Sequence, residues 1–150
     1  MTAGQVIEIV ELTPAPAVVL PRKVRLEVLG DEVGVGIRRV EAAVTAAQVP
    51  VAGVPFVRYL TLGPDAEVEI GVPLNGSHSV PSLRSTLLPG GPAASIWQER
   101  PSSGLHEVFG DLEAWIDRRG EPAGPPWESY WTSPEAHVAR TQIVWPMRLR

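Results

Sequence analysis

The sequence predicts an α+β fold: a duplicated strand–helix–strand–strand repeat forming an antiparallel sheet, with two helices on one face and a ligand cleft between the halves. Three observations carry this expectation. Two stretches have helical apolar spacing, Val33, Ile37, Val40, Val44 and Ala47, then Leu105, Phe109, Leu112 and Ile116. Each is flanked by short strand-like segments in the same order. The halves also share residues. Gly53, Phe56, Tyr59 and Pro64 return as Gly124, Trp127, Tyr130 and Pro134, and the run Glu69 to Pro73 returns as Gln142 to Pro146. A long internal repeat implies pseudo-two-fold symmetry. One helix per half covers one face of its strands, and junctions between such halves are common ligand sites. The expectation is one domain over residues 1–150, with pseudo-repeats at about 5–74 and 86–148.

In chain order, Gln5 to Leu12 alternates apolar and polar residues and reads as a strand. Thr13 to Pro16 breaks it. Ala17 to Val28 resumes as strand, with Pro21 marking a bulge or bend. Gly30 and Asp31 open the first helix, and Pro50 ends it. Gly34 and Gly36 each weaken its first turn by about 1 kcal/mol relative to Ala, which points to close packing there. Val54 to Leu60 is a strand, Gly63 to Asp65 a turn, and Glu67 to Pro73 a strand with acidic and apolar faces. Asn75 to Ser85 is a polar linker. Thr86 to Glu99 holds a strand interrupted at Pro89 to Pro92. Ser102 or Ser103 caps the second helix, and Gly120 stops it. Next come a strand at Trp127, a turn at Ser133 to Glu135 and a last strand from Thr141 to Met147.

The bulk properties exclude several classes. The 150 residues suffice for one domain with a core. Net charge is −4 and the cations are scattered, so nothing resembles a nucleic-acid-binding stripe. The chain has no cysteine, which removes disulfide and thiol chemistry. His78, His106 and His137 are isolated, and no nucleotide loop is present, so no metal and no cofactor is expected. No apolar run approaches the roughly 20 residues that span a bilayer, and the N-terminus has no signal-peptide pattern. A cytoplasmic protein with no membrane association is the expectation.

Trp127 to Trp131 is the segment richest in chemistry. Prolines bound it at Pro126 and Pro134, and its aromatic content suits a strand. A period of two puts Glu128 and Tyr130 on one face, with Trp127, Ser129 and Trp131 on the other. Glu128 is either a solvated strand carboxylate or an acid set to meet a cation or a proton.

These residues resemble the GyrI-like small-molecule-binding domain, which is also the effector-binding half of AraC- and MerR-type multidrug regulators. The likeness runs over nearly the whole chain. It rests on Leu88 to Gly91, on the helix ending Leu112 to Ile116, on Gly120, and on Trp127-Glu128-Ser129-Tyr130. The segment Arg100 to Leu105 departs from the family's usual entry into the second helix. No helix-turn-helix region is present, which implies a stand-alone sensor. The resemblance implies that Glu128 meets cationic, lipophilic ligands in an aromatic site, with Tyr130 beside it and Tyr59 at the equivalent place in the first half. Cation–π attraction would add about 0.5–2 kcal/mol per good contact.

Other residues admit two readings. Tyr59 and Tyr130 either pack in the core or face each other across the cleft. Glu69 is either solvated or shares the cleft. Trp97 is the indole expected on the ligand wall. Trp115, Trp145 and Phe56 are expected in the core, and Trp127 and Trp131 toward the helices unless a bulge reverses one.

The leading expectation is a module that binds bulky lipophilic, cationic small molecules, for drug or toxin sensing or sequestration. One alternative is a hydrolase of strained electrophilic, cyclopropanoid-type compounds, with Glu128 as general base and Tyr130 polarising the leaving group. Another is a protein-interaction module resembling the gyrase inhibitor, with a protein partner.

Overall fold

The computed structural model describes residues 6–98, 105–132 and 139–150. Nine strands and two helices follow one another among these residues. They are β1 (Ile7–Leu12), β2 (Ala15–Arg25), α1 (Leu29–Ala46), β3 (Phe56–Tyr59), β4 (Asp65–Pro73), β5 (Arg84–Leu88), β6 (Gly91–Gln98), α2 (Leu105–Asp117), β7 (Gly120–Pro122), β8 (Trp127–Thr132) and β9 (Ala139–Leu149). The fold is α+β, and its strand pairs are antiparallel, as the repeat predicts. The chain divides into two units, Pro14–Pro89 and a second that joins Met1–Thr13 to Gly90–Arg150.

In the unit Pro14–Pro89 the strands run β3-β4-β2-β5. The helix α1 buries Val33, Val40 and Val44, the apolar stripe read from spacing. Full burial of such a side chain contributes about 1.5–3 kcal/mol. Gly36 explains the tight first half of α1: a Cβ there would collide with the Ile70 side chain. That contact also fixes which face of β4 the helix covers. It is the face of Val68, Ile70 and Val72, shared by their partners Val57 and Tyr59 on β3 and Val18 and Leu20 on β2. Phe56, Arg58, Glu69 and Gly71 face the other way.

The structure departs from two expectations in this unit. The strand ends at Arg25, and Leu26–Val28 forms a 3-10 turn before α1. Pro21 makes no bulge; its register with Glu69 is unbroken. The neighbour β5 pairs β2 only as far as Val19, so β2 is an edge at Pro21, where a residue without an N–H is tolerated.

In the second unit the strands run β1-β6-β9-β8, with β7 added on β9. The helix α2 buries Leu105, Phe109, Leu112 and Ile116, as the spacing predicts, together with Val108. Phe109 meets Trp145 edge-on at 5.8 Å between ring centroids, which places α2 on the face of β9 that carries Thr141, Ile143 and Trp145.

The pairing of β3 with β4 recurs residue for residue in β8 with β9. Phe56–Gly71, Val57–Ile70, Arg58–Glu69 and Tyr59–Val68 become Trp127–Val144, Glu128–Ile143, Ser129–Gln142 and Tyr130–Thr141. Ile70 takes the helix in one unit and its equivalent Ile143 lies on the helix face in the other. Glu128 and Tyr130 therefore lie on the face of α2, and Trp127 and Trp131 point away from it. That reverses the expected direction of the two indoles, and the continuous register leaves no bulge to turn either back.

The edge strands depart furthest from the expected repeats. β1 pairs with β6, from Ile7–Ile96 to Leu12–Gly91. β5 pairs with β2, from Ala15–Leu88 to Val19–Arg84. The strand that precedes each repeat in the chain thus belongs to the other unit. β7 was not expected at all. Gly120 opens it, and a Cβ there would collide with the Arg148 carbonyl oxygen, so its role is close backbone approach to β9 and not a helix stop alone. Ser102, Ser103 and the turn Ser133 to Glu135 lie outside the described residues. No helix among the described residues is long and apolar enough to cross a membrane.

Candidate functional site

Glu128 sits in β8 on the α2 face and is only 2% exposed. Alternation brings Tyr130 to the same face about 7 Å along the strand. From there its hydroxyl reaches back and donates to Glu128 Oε1 at 2.8 Å. The solvated reading of Glu128 does not hold. Burying a carboxylate costs several kcal/mol, which hydrogen bonds to its oxygens offset in part. A buried acid carrying a phenolic donor can accept a hydrogen bond from, or pair with, a cation brought to that face.

The register shows what the first repeat has in its place. The equivalent of Glu128 is Val57, and the equivalent of Tyr130 is Tyr59, buried at 4% exposure on the α1 face. Only one of the two repeats carries the acid.

Glu69 is neither solvated nor on a helix face. It is 5% exposed and lies directly across from Arg58. Arg58 Nε donates to Glu69 Oε1 at 2.7 Å, and its Nη2 donates to Thr86 Oγ1 at 3.1 Å. Arg84 adds a looser contact of 4.0 Å to Oε2. The charge of Glu69 is met within the chain.

Trp97 is also turned from Glu128. It pairs across the ladder with Gln142, on the face away from α2. There its ring lies 6.2 Å from that of Trp131, and the Arg140 guanidinium sits 4.1 Å above it. Trp131 is 43% exposed, so this is a partly solvated aromatic–cation stack. Trp115, expected in the core, is half-buried with Arg119 stacked at 3.8 Å. Phe56 is buried as expected, whereas Trp145 is half-buried, its ring against Phe109 and its Nε1 donating to the Gly124 carbonyl oxygen at 2.9 Å.

The structure thus joins Glu128 to Tyr130 and places Trp97 on the other face of their sheet. It adds two residues that the sequence did not single out. Gln98 pairs with Thr141, and Thr141 with Tyr130, so the three form one cross-strand row on the α2 face, beside Glu128. Nothing in the spacing of Gln98 and Thr141 marks them; only the register brings them together. A cleft of about 200 Å³ beside Ala17, His78 and Thr86, in the unit Pro14–Pro89, contains none of the candidate site residues.

No protein-family model and no curated protein matches the chain. Solved structures do. The chain superimposes on EcmrR in its DNA complex within EcmrR-RPo with a TM-score of 0.83 at 15% identity, over 97% of this chain and 58% of that one. It therefore spans little more than half of that protein. On the isolated EcmrR C-terminal domain the TM-score is 0.81 at 16% identity, covering 98% of this chain and 99% of the domain. SAV2435 bound to tetraphenylphosphonium matches with a TM-score of 0.57 at 12% identity, over 95% and 93% of the two chains. A hydrolase from Listeria innocua matches at 0.57 and 9% identity, over 95% and 91%. The fold is the GyrI-like one that the sequence resembles.

Proposed function

We propose that the protein binds bulky lipophilic organic cations against the α2 face of β8, with Glu128 as the charge anchor and Tyr130 as the donor that holds it. The role is sensing or sequestration of drug-like or toxic compounds in the cytoplasm. The buried Glu128 carboxylate with its Tyr130 hydrogen bond carries the reading. The neighbour bound to tetraphenylphosphonium supports the ligand class. Tyr59 enters the proposal through its equivalence to Tyr130. Glu69 and Trp97 do not, since Arg58 occupies one and Trp131 with Arg140 the other.

The test is a tryptophan-fluorescence titration with tetraphenylphosphonium, wild type against Glu128→Gln. Wild type is expected to saturate, and Glu128→Gln to lose about 1.5–3 kcal/mol, the attraction between unit charges about 6–10 Å apart at an effective dielectric constant of about 20. That is roughly 10- to 100-fold in affinity. Equal affinities would sink the anchor role.

A hydrolase reading is favoured by one neighbour and by the proximity of a carboxylate and a phenol. In it Glu128 takes a proton from water and Tyr130 donates to the leaving group. Here the Tyr130 proton is directed at Glu128, so the hydroxyl would have to rotate away before it could serve a substrate. Mass spectrometry of a cyclopropanoid electrophile after incubation decides it: an unchanged mass leaves binding alone.

A further inference from the structure

The row Gln98–Thr141–Tyr130 holds two buried oxygen atoms that have no hydrogen-bond partner among the described residues. Thr141 is 2% exposed, and its Oγ1 has no hydrogen-bond partner among the described residues; the same is true of the buried Gln98 Oε1. A buried polar atom left unpaired costs about as much as a lost hydrogen bond, so each one calls for a reason, and a partner that arrives with a ligand is such a reason. The two belong together. Gln98 and Thr141 are directly opposed on β6 and β9, which puts their Cβ atoms about 5 Å apart. Thr141 is directly opposed to Tyr130, and Glu128 is the next residue of β8 on that face. Their chemistry also agrees. An amide oxygen accepts only, a carboxylate accepts only, and a threonine hydroxyl whose proton can rotate away accepts too. The face is therefore rich in acceptors, with a negative charge at one end.

We infer that the ligand is a cation carrying N–H donors, a protonated amine or amidine on an apolar body. Its charge meets Glu128, and its N–H groups are read by Thr141 Oγ1 and Gln98 Oε1. This rests on the anchor role of Glu128 and refines it. A quaternary ammonium or phosphonium satisfies the charge but leaves both oxygens unpaired. An ammonium with hydrogens satisfies charge and oxygens together, and a site built to receive N–H discriminates sharply against the analogue without it.

The test uses two probes of the same chain length and charge, dodecylammonium and dodecyltrimethylammonium, titrated at neutral pH below their micelle concentrations. Wild type is expected to bind dodecylammonium about tenfold or more tighter. Thr141→Val and Gln98→Leu should each shrink that ratio, and the double variant should bring it near one, with dodecyltrimethylammonium affinity unchanged within about twofold. Glu128→Gln should weaken both probes. Thr141→Val should also raise the Tm of the ligand-free protein by about 2–4 °C, because it removes a buried unpaired oxygen while keeping the shape. Equal wild-type affinities, or a ratio that survives in the double variant, overturn the N–H reading and leave the anchor standing. A Tm that falls in Thr141→Val overturns it as well, by showing that the fold uses the hydroxyl. If neither probe binds, the anchor role fails and this inference falls with it.

Discussion

Arg58 and Glu69 show what a buried charge does when the chain supplies its counterpart. They are opposed on neighbouring strands, 9% and 5% exposed, and joined at 2.7 Å, with Thr86 taking a further guanidinium hydrogen at 3.1 Å. Removing Arg58 leaves Glu69 buried with only the looser Arg84 contact at 4.0 Å. Arg58→Met is therefore expected to cost about 3–5 kcal/mol in urea denaturation, and Arg58→Met with Glu69→Met to recover most of it. A double variant as unstable as the single one would mean that the packing of Arg58, and not the ion pair, matters. The comparison with Ser129 and Gln142, which stand in the same register in the other unit, sharpens the point. There the pair is neutral, Gln142 turns to donate to Ser95 Oγ at 2.9 Å, and the buried acid is instead Glu128, on the other strand of the pair next to Ser129 and on the helix face. Parity alone brought Glu128 and Tyr130 together in the sequence. It could not reveal the partner of Glu69, because Arg58 lies on another strand. It could not reveal Gln98 and Thr141 either, since their meaning comes from an alignment of three strands.

At the scale of elements, β4 depends on a single missing side chain. A Cβ at Gly71 would collide with the Val18 carbonyl oxygen and crowd the side chains of Val19 and Phe56. Backbone cannot yield as the end of a side chain can, so Gly71→Ala is expected to lose about 3 kcal/mol, at the upper end for overpacking. Thermal denaturation gives the measure; a Tm within a degree of wild type would show that β2 and β4 can separate at no cost. Helices were the most legible elements, because the spacing of Val33, Val40 and Val44 and of Leu105, Phe109, Leu112 and Ile116 has one meaning. Strand faces were less so. In β8 and β9, Trp127 and Val144 are buried on one face and Glu128 and Ile143 on the other, so composition does not say which face takes the helix. β7, with three residues, has no period to read; it exists through its pairing with β9.

For the whole molecule, the repeat was legible and its closure was not. Alternation in Gln5 to Leu12 announces a strand but names no partner, and the partner is β6, far along the chain. One unit is a continuous stretch, Pro14–Pro89, while the other needs both its first and last segments. Pairings between distant segments form slowly. Pulsed hydrogen exchange during refolding is expected to protect amides of β2 and β4 before those of β1; simultaneous protection would show that the two units form as one. The exchanged strand then has a consequence for the chain as it leaves the ribosome. The segment of β1 emerges before its partner and waits, unpaired, until residues 91–98 have followed. An apolar strand with a free edge invites pairing with copies of itself. Glu8 and Glu11, alternating with Ile7, Ile9 and Val10, put like charges along that edge, and they guard the nascent chain against aggregation before the native partner exists.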